Sequence, residues 1–112
     1  MSFVDLIAIA LEWLNAYRAR DLFIIDLYAA DALLQCNCGG KTELSGTQAI
    51  SAYWRQRLTE KVAGELISLR SYGSDIVVLL FRESDEIVKV TLTFNPDGSL
   101  RRSQCDPSST FR

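Results

Sequence analysis

The sequence predicts a single α+β domain, and three observations carry that reading. Apolar residues recur with helical spacing in three early segments. A short alternating hairpin lies between the second and third of them. Four further strand-like segments then follow one another, separated by turn signals. At 112 residues the chain suffices for one core, burying roughly 65% of its unfolded surface. The domain is expected to span residues 1–112 without linkers, repeats or low-complexity segments.

Phe3, Ile7, Leu11, Leu14 and Tyr17 form one helical stripe. Ser2 followed by Asp5 resembles a capping box, so the first helix is expected over 3–18. A shorter helix is expected after an Asp21 cap, carrying Leu22, Ile25, Leu27 and Tyr28. Asp31 reads as an anchor where the next strand starts. In LLQCNCGG, Leu34, Cys36 and Cys38 alternate with Gln35 and Asn37, which places the first set towards a core. Gly39-Gly40 permits a tight reversal, and KTEL returns as the partner strand. Ser45-Gly46-Thr47-Gln48 resembles a second capping box, opening a helix whose inner stripe is Ile50, Tyr53, Trp54, Arg57 and Leu58. Gly64 marks its end or the connection beyond it.

Strands are expected near 65–72, 76–82, 86–95 and 99–105, with YGSD, ESDE and NPDG as the turns. Val88, Val90, Leu92 and Phe94 alternate with Lys89, Thr91 and Thr93. The segment IVVLLF at 76–81 is apolar on both faces. One face suffices for a helix-covered sheet, so the other is expected to meet a second copy of the chain, forming a homodimer.

Composition excludes several chemistries. The chain has no histidine, which removes Ser-His-Asp and Cys-His nucleophile activation and every histidine metal site. Three cysteines make neither a plausible zinc site without histidine nor an even disulfide set. They are expected as reduced thiols packing as small apolar groups, with no metal and no cofactor. A net charge of −2 offers no basic surface for nucleic acid. No apolar run approaches the roughly 18 residues of a membrane span. The N-terminal MSFVDLIAIALEWL lacks the basic segment of a signal peptide. A cytoplasmic location is the expectation.

The segments WLNAYRARDL, LYAADALL, LSGTQAISAYWRQRL and TFNPDGSL, in that order, resemble the nuclear transport factor 2-like superfamily. This is the fold of ketosteroid isomerases, polyketide-cyclase-like (SnoaL-like) proteins and scytalone dehydratase. The resemblance implies a cystatin-like cone, in which three N-terminal helices pack on a curved, mainly antiparallel six-stranded sheet and enclose a pocket. It also implies dimerisation through the outer sheet face. Ketosteroid isomerases use a carboxylate base, a first-helix tyrosine and a protonated aspartic acid on the fifth strand. The resemblance places these roles on Cys36, Trp13 and Val90. None of the three side chains can perform them, so isomerase chemistry is not expected.

What remains is a pocket for an apolar or aromatic small molecule, walled by Trp13, Tyr17, Tyr28, Cys36, Trp54, Arg57 and Val90. No acidic residue is directed inward from Leu34, Cys36, Val88, Val90 or Leu92. Arg57 reads as solvated, although its head could serve a carboxylate or enolate if turned inward. Cys36 is the one catalytic candidate. As a reactive thiol it needs a neighbouring cation, for which Arg57, Arg70, Arg101 and Arg102 are available. The leading expectation is a small-molecule-binding protein. The alternatives are a cyclase, isomerase or dehydratase acting on a polyketide- or terpenoid-like substrate, and a dimeric association module.

Overall fold

The computed structural model describes residues 5–37 and 41–108. Its elements run α1 (Leu6–Ala19), α2 (Phe23–Asp26), β1 (Tyr28–Cys36), β2 (Thr42–Ser45), α3 (Thr47–Glu60), β3 (Ala63–Tyr72), β4 (Ile76–Glu83), β5 (Glu86–Phe94) and β6 (Leu100–Pro107). The strands form one six-stranded sheet in the order β2-β1-β6-β5-β4-β3. Every pairing is antiparallel except that of β1 with β6. The α+β reading and its meander therefore stand.

Local chemistry explains where each helix begins. Asp5 closes the first turn of α1, its carboxylate accepting the amides of Ile7 at 3.1 Å and Ala8 at 3.2 Å. The helix thus starts at Leu6 rather than Phe3, and Ser2 lies outside the described residues. Arg20, left-handed at φ 56°, ends it. The Asp21 carboxylate accepts the Phe23 amide at 2.9 Å, but Leu22, not Asp21, takes the N-cap position of α2. The expected second capping box does not form. Ser45 is committed to β2, paired with Leu33, and Gly46 takes the N-cap position at φ 89° without a side-chain bond. That backbone conformation suits glycine and few other residues. Gly64 lies inside β3 rather than in a connection.

Tyr28 corrects the second helix. It begins β1 instead of ending α2, because β1 and β6 pair in parallel with Tyr28 opposite Leu100. The Leu100 amide donates to the Leu27 carbonyl at 2.8 Å and draws this segment into the sheet. Leu34 and Cys36 are buried as the alternation requires, whereas Cys38 and the Gly39-Gly40 reversal lie outside the described residues.

The core lies between the helices and one face of the sheet. Val77, Leu79 and Phe81 of β4 meet Val88, Val90, Leu92 and Phe94 of β5, all buried. Against them α1 packs Trp13, Leu14 and Tyr17, and α3 packs Ile50, Trp54 and Leu58. Ile76, Val78 and Leu80 face the other side of the sheet and are half-buried. Among the described residues no helix is long and apolar enough to cross a membrane.

Candidate functional site

The aromatic side chains of α1 and α3 meet Phe81 in an edge-to-face cluster. Trp13 and Trp54 lie 5.8 Å apart between ring centres at 81°, and Tyr17 and Trp54 lie 5.0 Å apart at 77°. Phe81 contacts both Trp13 and Tyr17 at 6.0 Å. Such pairs add about 0.5–1.5 kcal/mol each beyond burial and fix ring directions. The polar tips of these rings are thereby aimed at two hydrogen-bonded centres.

The first centre is the Tyr28 hydroxyl. It accepts the indole N–H of Trp13 at 3.2 Å and that of Trp54 at 3.3 Å. Ser103 Oγ is 2.9 Å away. With both lone pairs taken by indoles, the phenol proton is directed to Ser103. Burial, the largest influence, raises the Tyr28 pKa and keeps the phenol neutral.

The second centre is ionic. Arg57 Nη2 stands 2.9 Å and 3.0 Å from the two carboxylate oxygens of Glu83. The Tyr17 hydroxyl donates to Glu83 Oε2 at 2.5 Å and accepts from Arg57 Nε at 3.3 Å. Glu83 is 3% exposed, and the Arg57 side chain 11%. Burial first, then Glu83, raises the Tyr17 pKa, so this phenol remains a proton donor. The guanidinium also lies 5.8 Å from the Tyr53 ring centre, within cation–π range.

Arg57 is therefore not the solvated side chain expected from the sequence. An inward carboxylate exists too, on β4, whereas the inward positions read from the sequence lie on β1 and β5. The odd-numbered positions of β4 face inward, and Glu83 continues the series Val77, Leu79, Phe81. The signal was the period-two alternation itself. It was obscured because ESDE reads as a turn, and β4 ends at Glu83 rather than at 82.

These groups border a small interior space. Of the residues singled out in the sequence, Trp13, Tyr17, Trp54, Arg57 and Val90 line it, together with Glu83. Tyr28 and Cys36 are not on its lining. The space offers about 20 Å³ to a water-sized sphere, enough for one water molecule. Tyr53 and Arg57 also line an outer depression of about 160 Å³ with Thr42, Gln56 and Glu60. These two side chains form the wall between inside and outside.

Cys36 lies buried on the inner face of β1. Three of the four arginines available in the sequence to activate it have other partners. Arg57 holds Glu83, Arg101 holds Asp75 at 3.3 Å, and Arg102 bonds Gln35 and Gln104. Arg70 is exposed on β3, and Asp31 is exposed on β1. Among the described residues there is no cluster of three or more side chains suited to a metal ion.

No family model matches the chain, and neither does any curated protein. Solved structures do. A SnoaL-like protein of unknown function from Burkholderia thailandensis superposes with a TM-score of 0.78 at 23% identity, covering 90% of this chain and 92% of that one. The epoxide hydrolase/cyclase-like enzyme SalBIII, described in pyran-ring formation in the polyether salinomycin, also gives 0.78, at 18% identity and over 94% and 92% of the two chains.

The ionic centre makes a direct prediction about stability. Glu83→Leu leaves a buried guanidinium without its counter-charge and is expected to cost about 3–5 kcal/mol in chemical denaturation. Tyr17→Phe leaves the Arg57–Glu83 pair in place and is expected to cost less, about 1.5–3 kcal/mol, the range for a hydrogen bond to a charged group. Equal losses would mean that the ion pair is not the dominant contact.

Proposed function

Starting from a chain with the SnoaL-like, nuclear transport factor 2-like cone fold, we propose that it is a small-molecule-binding protein. Its ligand is an apolar or aromatic molecule bearing one oxygen-rich end. The ring system lies against Trp13, Trp54 and Val90, and the oxygen end meets Arg57 and Tyr17. The observation that carries this reading is the ionic centre beside the interior space. Taking a carboxylate and a guanidinium out of water costs several kcal/mol per ion, and apolar side chains would fill the same volume at no such cost. Charged groups held at that cost beside an interior space are candidates for ligand recognition.

Tyr53 and Arg57 separate the interior space from the outer depression. Rotation of Tyr53 away from Arg57 joins the two and makes room for a ligand larger than water. Aromatic carboxylates are the natural probes, since they combine a flat apolar body with an anion for the guanidinium. The wild type is expected to bind a member of such a series in calorimetry. Tyr53→Ala, which removes the wall, should associate faster. Failure of both proteins to bind any aromatic carboxylate would remove this reading.

A second reading is favoured by one contact, the Tyr17 phenol 2.5 Å from Glu83. A neutral phenol and a carboxylate side by side form a donor–base pair. Such a pair could open or close an oxygen ring in a polyketide- or terpenoid-like substrate, with Arg57 stabilising developing negative charge. Turnover of a hydroxy-epoxide that disappears in Glu83→Gln would select this enzyme over a simple binder.

We also propose a homodimer through the outer sheet face, supported by the half-buried Ile76, Val78 and Leu80 of β4. Val78→Lys would place an unpaired charge in that interface and should convert the dimer to a monomer in light scattering. A wild type already monomeric at micromolar concentration would overturn this.

A further inference from the structure

Aromatic rings aside, the buried polar side chains among the described residues are Glu83 and Ser103, and both line the interior space. Glu83 is held by Arg57 and Tyr17. Ser103 faces inward from β6, between its sheet partners Leu34 and Leu92, which are buried as well. Among the described residues its hydroxyl has one hydrogen-bond partner, the Tyr28 hydroxyl at 2.9 Å. That contact leaves one proton over. Two O–H groups meet in it, and a single O···O contact uses only one of their protons. Both lone pairs of the Tyr28 oxygen already accept indole N–H groups, so Tyr28 donates and the Ser103 proton is the one left. A buried hydroxyl proton with no protein acceptor calls for a water or a ligand oxygen. Ser103 borders the interior space and Tyr28 does not, so the acceptor stands in that space.

We propose that Ser103 is the second anchor of the ligand site, donating its proton to a neutral acceptor oxygen, a carbonyl or an ether, on a ligand whose carboxylate meets Arg57. The proposal rests on the ligand-binding reading above and narrows it to aromatic carboxylates that carry a second oxygen at the far end. The two tryptophans join the anchors. Their N–H groups reach Tyr28, and their rings pack edge-to-face on Tyr17, beside Arg57 and Glu83. A flat ring lying on the indoles therefore has the ionic centre at one end and Ser103 at the other. From indole to Tyr28 to Ser103 the donors all run in one direction, and each bond in such a chain strengthens the next. At rest the space takes one water, which accepts the Ser103 proton. A ligand oxygen takes that water's place, so only one atom has to fit against Ser103, and the ring occupies the room opened by Tyr53. A ligand with a methyl group there leaves the Ser103 proton unpaired.

The probes are para-acetylbenzoate and para-isopropylbenzoate, which share size, shape and carboxylate and differ in the acceptor oxygen. In calorimetry the wild type is expected to bind the acetyl compound about fivefold tighter, the yield of one hydrogen bond. Ser103→Ala should reverse the order, because the ketone then leaves water without meeting a donor. Its affinity for the isopropyl compound should be retained. Ser103→Cys keeps the side-chain volume but offers only a weak donor, so it should lose the preference too, and it decides the matter if Ser103→Ala does not fold. Equal or weaker binding of the acetyl compound by the wild type, or a preference that survives in either variant, would overturn the proposal and leave the ligand-binding reading standing. So would failure of both probes when other aromatic carboxylates bind. If no aromatic carboxylate binds, both fall together.

Discussion

The arrangement of the helices over the sheet depends on a buried ion pair. Arg57 comes from α3 and Glu83 from the last position of β4, and Tyr17 of α1 hydrogen-bonds to both. Three elements that meet nowhere in sequence are joined through two charges and one phenol. A charge in a poorly polarisable interior tolerates little displacement, because each ångström lost from its counter-charge is no longer offset by water. This centre therefore sets how α1 and α3 sit over β4. The edge-to-face rings between them follow from that placement.

The Tyr28 hydroxyl performs the complementary task with neutral groups. Its two indole donors come from α1 and α3, and its third partner, Ser103, comes from β6. Every indole N–H in the core is satisfied by the same oxygen, so neither tryptophan can rotate without leaving a buried donor unpaired. The two centres divide the interior. One end is neutral, and the other is ionic and lies beside the wall of Tyr53 and Arg57. A ligand with one apolar part and one oxygen-bearing part matches that division.

How much was legible in the sequence depended on the range of the interaction. Val88, Val90, Leu92 and Phe94 declared β5 because a half-buried strand imposes a period of two on its own residues. The role of Asp21 at the entry to α2 was legible for the same reason, since its bond to the Phe23 amide acts within one turn, although Leu22 holds the N-cap position. Tyr28 was misplaced because its strand is defined by parallel pairing with Leu100, far along the chain. Ser45 looked like a cap until its pairing with Leu33 removed it from that role. Glu83 was hidden by a turn-like composition, although its parity matched Phe81, and without Glu83 nothing in the sequence turned Arg57 inward.

The central claim is that the ionic centre orients α1 and α3 for recognition while adding no net stability over apolar packing. Its most direct test is the triple replacement Arg57→Met, Glu83→Leu and Tyr17→Phe, which removes both charges and the phenol together and leaves no orphaned polar atom. Denaturation of this variant should give a stability equal to the wild type or up to about 4 kcal/mol greater, as when other buried ion pairs are replaced by apolar side chains. Its binding of aromatic carboxylates should be lost. A triple variant that unfolds as readily as Glu83→Leu alone, or one that keeps wild-type affinity for those ligands, would contradict the account.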